Sequence, residues 1–131
     1  GIREIILERK RRGGLVCVAS LSSRETILRD YDLHIGIRPD LIFCKDDPVC
    51  KPDPYPLKAI MEAYHLSPAD LLMVDDLKTG LQMARAASVP IAAALWCRQD
   101  APEIVEYLTK RCDFAFHTTK ELYDYLFAEE P

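Results

Sequence analysis

Leu71-Leu72-Met73-Val74 runs straight into Asp75-Asp76. Four consecutive apolar residues that end abruptly suit a buried strand, and two acids at the end of such a strand suit a cation. Adjacent like charges repel, and one polar residue would satisfy the free N–H groups of a following helix without the second acid. A bound cation removes the conflict. The competing reading is that both acids simply favour the positive end of the next helix.

Working outward, an earlier apolar run, Leu15 to Ala19, stops at Ser20, and a loop carrying Pro48, Pro52, Pro54 and Pro56 presents Lys51. A hydroxyl, an ammonium and a carboxylate pair, each at or just beyond a strand's end, suit a phosphate together with a divalent metal. Taken singly, Ser20 is also an ordinary turn residue and Lys51 an ordinary solvated lysine. Asp46-Asp47 forms a second acid pair, but it opens a loop rather than closing a long apolar run, so turn chemistry accounts for it. The prolines lack the PxxP period of a polyproline ligand and are read as stiffening the Lys51 loop.

Strands and helices alternate throughout. Ile2, Ile5, Ile6 and Arg9 fall at helical spacing, and Gly13-Gly14 stops a helix over about 2–12 before the strand from Leu15. Ser22-x-x-Glu25 has the spacing of a capping box for a helix over about 23–31. Leu41 to Cys44 suits a strand buried on both faces, and Leu57, Ile60, Met61 and Tyr64 mark a helix over about 56–65. After the acid pair come a helix over about 78–87 and a strand over 91–95. Asp100-x-x-Glu103 is expected to cap a helix to about Lys110, a short strand spans 114–117, and Thr118-x-x-Glu121 caps the last helix. Such alternation demands crossover connections and a parallel sheet with helices on both faces, an α/β fold whose ligand crevice lies outside the carboxyl ends of the strands. Ser20, Asp75 and Asp76 all fall at such ends.

The chain of 131 residues is one domain's worth, with a net charge of −4. Acids and bases are interspersed apart from Arg9-Lys10-Arg11-Arg12, which sits at a helix end where cations favour the dipole, so no nucleic-acid partner is expected. No apolar run approaches the ~20 residues that span a bilayer, and no signal-peptide pattern opens the chain, so the expectation is a soluble, cytoplasmic protein without membrane contact. Five scattered cysteines without a CxxC pair read mostly as small core residues in a reducing compartment. His34, His65 and His117 lack any i, i+4 partner, which leaves a zinc site without support.

Three segments together resemble the motifs of the haloacid dehalogenase-like (HAD) hydrolases. Val18-Ala19-Ser20-Leu21-Ser22-Ser23-Arg24-Glu25 is similar to the second motif, Lys51-Pro52-Asp53-Pro54 to the third, and Val74-Asp75-Asp76 through Ala84-Arg85-Ala86-Ala87 to the fourth. Their order and spacing also match. The opening resembles the helix leading from the cap into the core in the phosphoglycolate phosphatase-like branch. The resemblance implies a Rossmann-like sheet and Mg²⁺-dependent hydrolysis of a small phosphorylated metabolite through an aspartyl-phosphate. Ser20 would bond a phosphate oxygen, Lys51 would offset charge on the nucleophile and phosphoryl group, and Asp75 and Asp76 would hold Mg²⁺ directly or through water, with the division between them left open.

Two departures stand out. Family members often carry Gly before the first acid of the fourth motif and a further acid a few residues on, where this chain has Asp75 and Gly80. The first motif, Asp-x-Asp-Gly-Thr, which supplies the nucleophile, does not occur. The chain over 1–131 therefore reads as a single partial HAD core domain, the C-terminal part of a phosphatase, without nucleophile strand or cap and with an open sheet edge through which copies would associate. Two rivals remain. In a response-regulator receiver domain the acids precede the hydroxyl and lysine, the reverse of the order here. A non-catalytic HAD-like binding module would show an in-frame start at Gly1 rather than an upstream Asp-x-Asp-Gly-Thr string.

Overall fold

The computed structural model describes residues 1–128 and divides into two compact units, residues 1–65 and 66–131. The first contains α1 (Ile2–Arg11), β1 (Cys17–Ala19), α2 (Arg24–His34), β2 (Leu41–Phe43) and α3 (Tyr55–Tyr64). β1 and β2 pair in parallel, with Cys17 opposite Leu41 and Ala19 opposite Phe43. α1 ends in a Schellman motif: the Gly14 N–H donates to the Arg9 carbonyl at 2.9 Å and the Gly13 N–H to that of Lys10 at 3.0 Å. Gly13 supplies the left-handed turn at φ +80°. Ile5 and Ile6 of α1, Ile27 of α2, and Leu57 and Ile60 of α3 supply buried apolar surface.

The second unit contains β3 (Met73–Asp75), α4 (Lys78–Ala86), β4 (Ile91–Ala94), α5 (Pro102–Arg111), β5 (Phe114–Phe116) and α6 (Thr119–Leu126), with 3₁₀ turns at Pro68–Asp70 and Leu95–Cys97. Its three parallel strands lie in the order β3-β4-β5. Ile91-Ala92-Ala93-Ala94 occupies the centre with all four residues buried, as expected of a strand covered on both faces. Phe114 and Phe116, two apart on β5, share one face, where Tyr125 of α6 packs with ring centroids 4.6 and 5.6 Å away.

The α/β class with parallel strands and helices on both faces is thus the one observed, but hydrogen bonding divides the strands between two sheets. End positions show in the burial. Val74, on the end strand β3, is 37% exposed, and Leu41, Ile42 and Phe43 are only half-buried rather than covered on both faces. Of the cysteines, Cys44 alone is fully buried, and Cys97 is exposed. No described helix is long and apolar enough to cross a membrane.

The caps also depart from expectation in two places. Ser23, not Ser22, caps α2, its Oγ accepting from the Thr26 N–H at 3.2 Å. Ala101 precedes α5 without a side-chain cap, so Asp100 plays no such part. Thr118 does cap α6, accepting from the Glu121 N–H at 3.1 Å.

One latch recurs in both units. Asp40, the residue before β2, accepts from the Val16 N–H at 2.8 Å and from Lys10 at 2.7 Å. Asp113, the residue before β5, accepts from the Ile91 N–H at 2.8 Å and from Arg85 at 2.9 Å. Each aspartate closes the entry to a parallel ladder and carries its own counter-charge. Burial pushes the Asp40 carboxyl up, but Lys10 and the Val16 N–H outweigh it, while Asp113 is held down first by the Ile91 N–H. Both carboxyls therefore titrate below the unfolded value of ~3.9, so their stabilisation is complete above that pH and is lost as pH falls through the folded values. We expect the urea midpoint to fall more steeply, as pH drops below about 4, in the parent than in Asp113→Asn. Equal slopes would show that the latch contributes nothing.

Candidate active site

In the first unit, Ser20 follows β1 directly. Its N–H donates to the Phe43 carbonyl at 2.9 Å, and its Oγ accepts from the Ser22 N–H at 3.1 Å. The hydroxyl thus performs the turn function open to any serine, which still leaves its proton to donate. Lys51 is not a solvated lysine: it is 7% exposed, on the loop between β2 and α3. Burying a lysine is costly without compensation, so its charge is met by other groups of the chain. The same loop is organised locally. Asp53 accepts from the Tyr55 N–H at 2.8 Å and Asp47 from the Cys44 N–H at 2.8 Å, the turn bonds expected, whereas Asp46 accepts from the N–H of Arg24, the first residue of α2, at 2.9 Å and so ties the loop to a helix start instead of closing a turn.

In the second unit, the two adjacent acids have different surroundings. Asp75 closes β3, is 9% exposed, and turns its Oδ1 onto the backbone N–H groups of Asp76 at 2.7 Å and Leu77 at 3.2 Å. Its Oδ2 lies against Gly80: a Cβ built there would stand 2.1 Å from that oxygen and 2.5 Å from the Asp75 Cβ. The two halves of the fourth-motif departure, Asp75 and Gly80, are therefore one adjustment. Where an acid replaces the usual glycine at 75, its side chain takes the room that a side chain at 80 would need.

Asp76 is the more accessible of the two, and its Oδ2 pairs with the Arg98 guanidinium at 2.9 Å. Arg98 stands just beyond the 3₁₀ turn that follows β4, at the carboxyl end of the sheet. Sequence reasoning passed over it. The available signal was its place as the first basic residue past a strand's carboxyl end, where α/β crevices form. Partial burial, then the negative charge of Asp76, pushes the thiol of the neighbouring Cys97 up, which disfavours its thiolate.

Ser20 and Lys51 thus belong to one unit and Asp75, Asp76 and Arg98 to the other. No group of three or more His, Cys, Asp or Glu capable of holding a metal occurs among the described residues. A hard cation that keeps several waters asks less, one or two carboxylates completed by a phosphate. Asp76, its side chain 25% exposed and paired with Arg98, is the carboxylate of this cluster that could take such a cation.

A family model of haloacid dehalogenase-like hydrolases matches residues 1–88, and the chain belongs to this family. Solved structures carry the same fold. A protein from Lactobacillus delbrueckii assigned as a phosphoglycolate phosphatase superposes with a TM-score of 0.79 at 16% identity, over 98% of this chain and 53% of that one. A HAD-superfamily hydrolase of subfamily IA from Geobacter sulfurreducens gives 0.71 at 20% identity, over 95% of this chain and 53% of that one. The core domain of a Streptococcus pneumoniae protein, also assigned as a phosphoglycolate phosphatase, gives 0.74 at 12% identity over 98% of this chain and 87% of that core. The chain spans about half the length of the first two. No curated protein matches it in sequence.

Proposed function

We propose that the chain supplies the phosphate- and metal-binding part of a Mg²⁺-dependent phosphohydrolase acting on a small phosphorylated metabolite through an aspartyl-phosphate. The observation that carries this reading is the state of Lys51, a lysine on a strand-end loop kept 7% exposed in a chain of this family. Phosphoryl transfer asks a protein mainly for positioning and charge stabilisation, and a desolvated ammonium does both more strongly than one in water.

In this reading the Ser20 hydroxyl donates to a phosphate oxygen while its lone pair keeps the turn closed. Lys51 neutralises charge that gathers on the transferring group. Asp76 holds Mg²⁺, and Asp75, bonded to the backbone at the head of α4, fixes the turn that presents Asp76. Mg²⁺, when bound, neutralises phosphate oxygens and orients them. The nucleophile comes from a polypeptide segment outside these 131 residues, because no Asp-x-Asp-Gly-Thr string occurs within them. The outer edge of β1, which has no ladder partner among the described residues, is available to such a strand.

Two experiments test the reading. The coding sequence upstream of Gly1 should contain an in-frame Asp-x-Asp-Gly-Thr string, and an in-frame start at Gly1 would instead favour a binding module. The 131-residue chain alone, with Mg²⁺ and p-nitrophenyl phosphate, should release no more product than buffer, since nothing in it accepts the phosphoryl group. Turnover that survives purification and vanishes in Asp76→Ala would reveal a nucleophile within the chain.

A further inference from the structure

The Arg98 guanidinium lies on the carboxylate to which the proposed function assigns the metal. Its backbone is fixed on both sides: its N–H donates to the Leu95 carbonyl at 3.0 Å, and its own carbonyl accepts from the Ala101 N–H at 3.0 Å. The side chain is less firmly held. Its closest contact with Asp76 is from Nη2, the two side chains are 36% and 25% exposed, and Nε is buried without a hydrogen-bond partner among the described residues. The two-pronged guanidinium–carboxylate fork through Nε and Nη2, a strong form of this pair, is therefore not made. The arginine is placed to neutralise Asp76, yet holds it in a way that another cation can displace.

We propose that Arg98 is a built-in competing cation that sets the Mg²⁺ affinity of the site by occupying Asp76 until the metal displaces it. This rests on the reading of Asp76 as a metal ligand and adds the residue that tunes it. Without Arg98, Asp75 and Asp76 would stand as adjacent acids with no cation from this cluster on the exposed one. With it, Asp76 has a counter-charge of its own, and metal binding exchanges one cation for another. A partly exposed ion pair of this kind contributes at most ~1 kcal/mol, which corresponds to roughly a fivefold change in a binding constant. Arg98 is thus a positioning and tuning residue, not a gate that closes the site.

The test is Mg²⁺ titration of the chain at constant ionic strength by calorimetry, with emission from Trp96, the single tryptophan and two residues from Arg98, as a second readout. Arg98→Gln should bind Mg²⁺ about fivefold more tightly than the parent. Arg98→Lys keeps the charge and should stay close to the parent, which also controls for loss of fold, and Asp76→Asn should weaken binding in either background. Equal affinity of the parent and Arg98→Gln, with Asp76→Asn still weaker, would overturn the competing-cation role and leave the metal reading standing. Absence of Mg²⁺ binding in all variants, or Asp76→Asn binding as well as the parent, would overturn both.

Discussion

In the proposed phosphohydrolase, Lys51→Met is expected to lower turnover by ~10²-fold or more, the usual scale for deleting one preorganised charge or donor that acts on a transition state. Methionine keeps much of the lysine's length and apolar stem, and at a position 7% exposed it substitutes an apolar group for a charged one of similar volume. The fold should survive. The loss should fall on kcat more than on KM, because charge on the transferring group grows between ground state and transition state. A variant with KM raised and kcat intact would show that Lys51 only collects the substrate. Full activity would remove Lys51 from the site.

How much of this was legible in the sequence depended on the range of the interaction. The alternation of strands and helices was readable because each element is encoded by its own periodicity, and β4 shows this best, with four small or apolar residues buried in a row. The cap of α6 was readable for the same reason, since Thr118 and Glu121 act within one turn. The cap of α2 was not, because two serines stand side by side and the choice is made elsewhere. Ser22 is already engaged by the loop, its N–H by Ser20 and its carbonyl by the Lys45 N–H. The Asp100-x-x-Glu103 spacing misled because Pro102 begins α5, and proline's fixed φ suits the first helical position, which moves the cap to Ala101.

Within the site, the candidate residues could be named from strand ends and motif order, but their individual roles could not. Spacing says nothing about the distance from Asp76 to Arg98, which depends on how β3 and β4 lie in register, Met73 opposite Ile91. Likewise, the tandem acids looked equivalent until the backbone turn showed one carboxylate directed inward and the other toward a cation.

That asymmetry makes Gly80 the position least tolerant of a side chain. Alanine at an ordinary helical site would stabilise α4 by up to ~1 kcal/mol over glycine. Here its Cβ would stand 2.1 Å from Oδ2, 2.4 Å from Cγ and 2.5 Å from Cβ of Asp75. Rotating χ1 moves the carboxylate but not the Asp75 Cβ, so β3 and α4 must separate or the turn between them must deform. Overpacking of this kind costs ~1–3 kcal/mol, and contact with an immobile Cβ places it at the upper end. We expect Gly80→Ala to be about 2 kcal/mol less stable than the parent, a fall of roughly 5–10 °C in Tm. Asp75→Gly alone should also destabilise, because the N–H groups of Asp76 and Leu77 lose their acceptor. In the double variant the clash is absent, so its loss should be smaller than the sum of the single losses by about 1–3 kcal/mol. Strict additivity in that cycle, or a Gly80→Ala protein that melts above the parent, would mean that Asp75 does not occupy the space beside residue 80, and the distinct roles given to the two acids would fail with it.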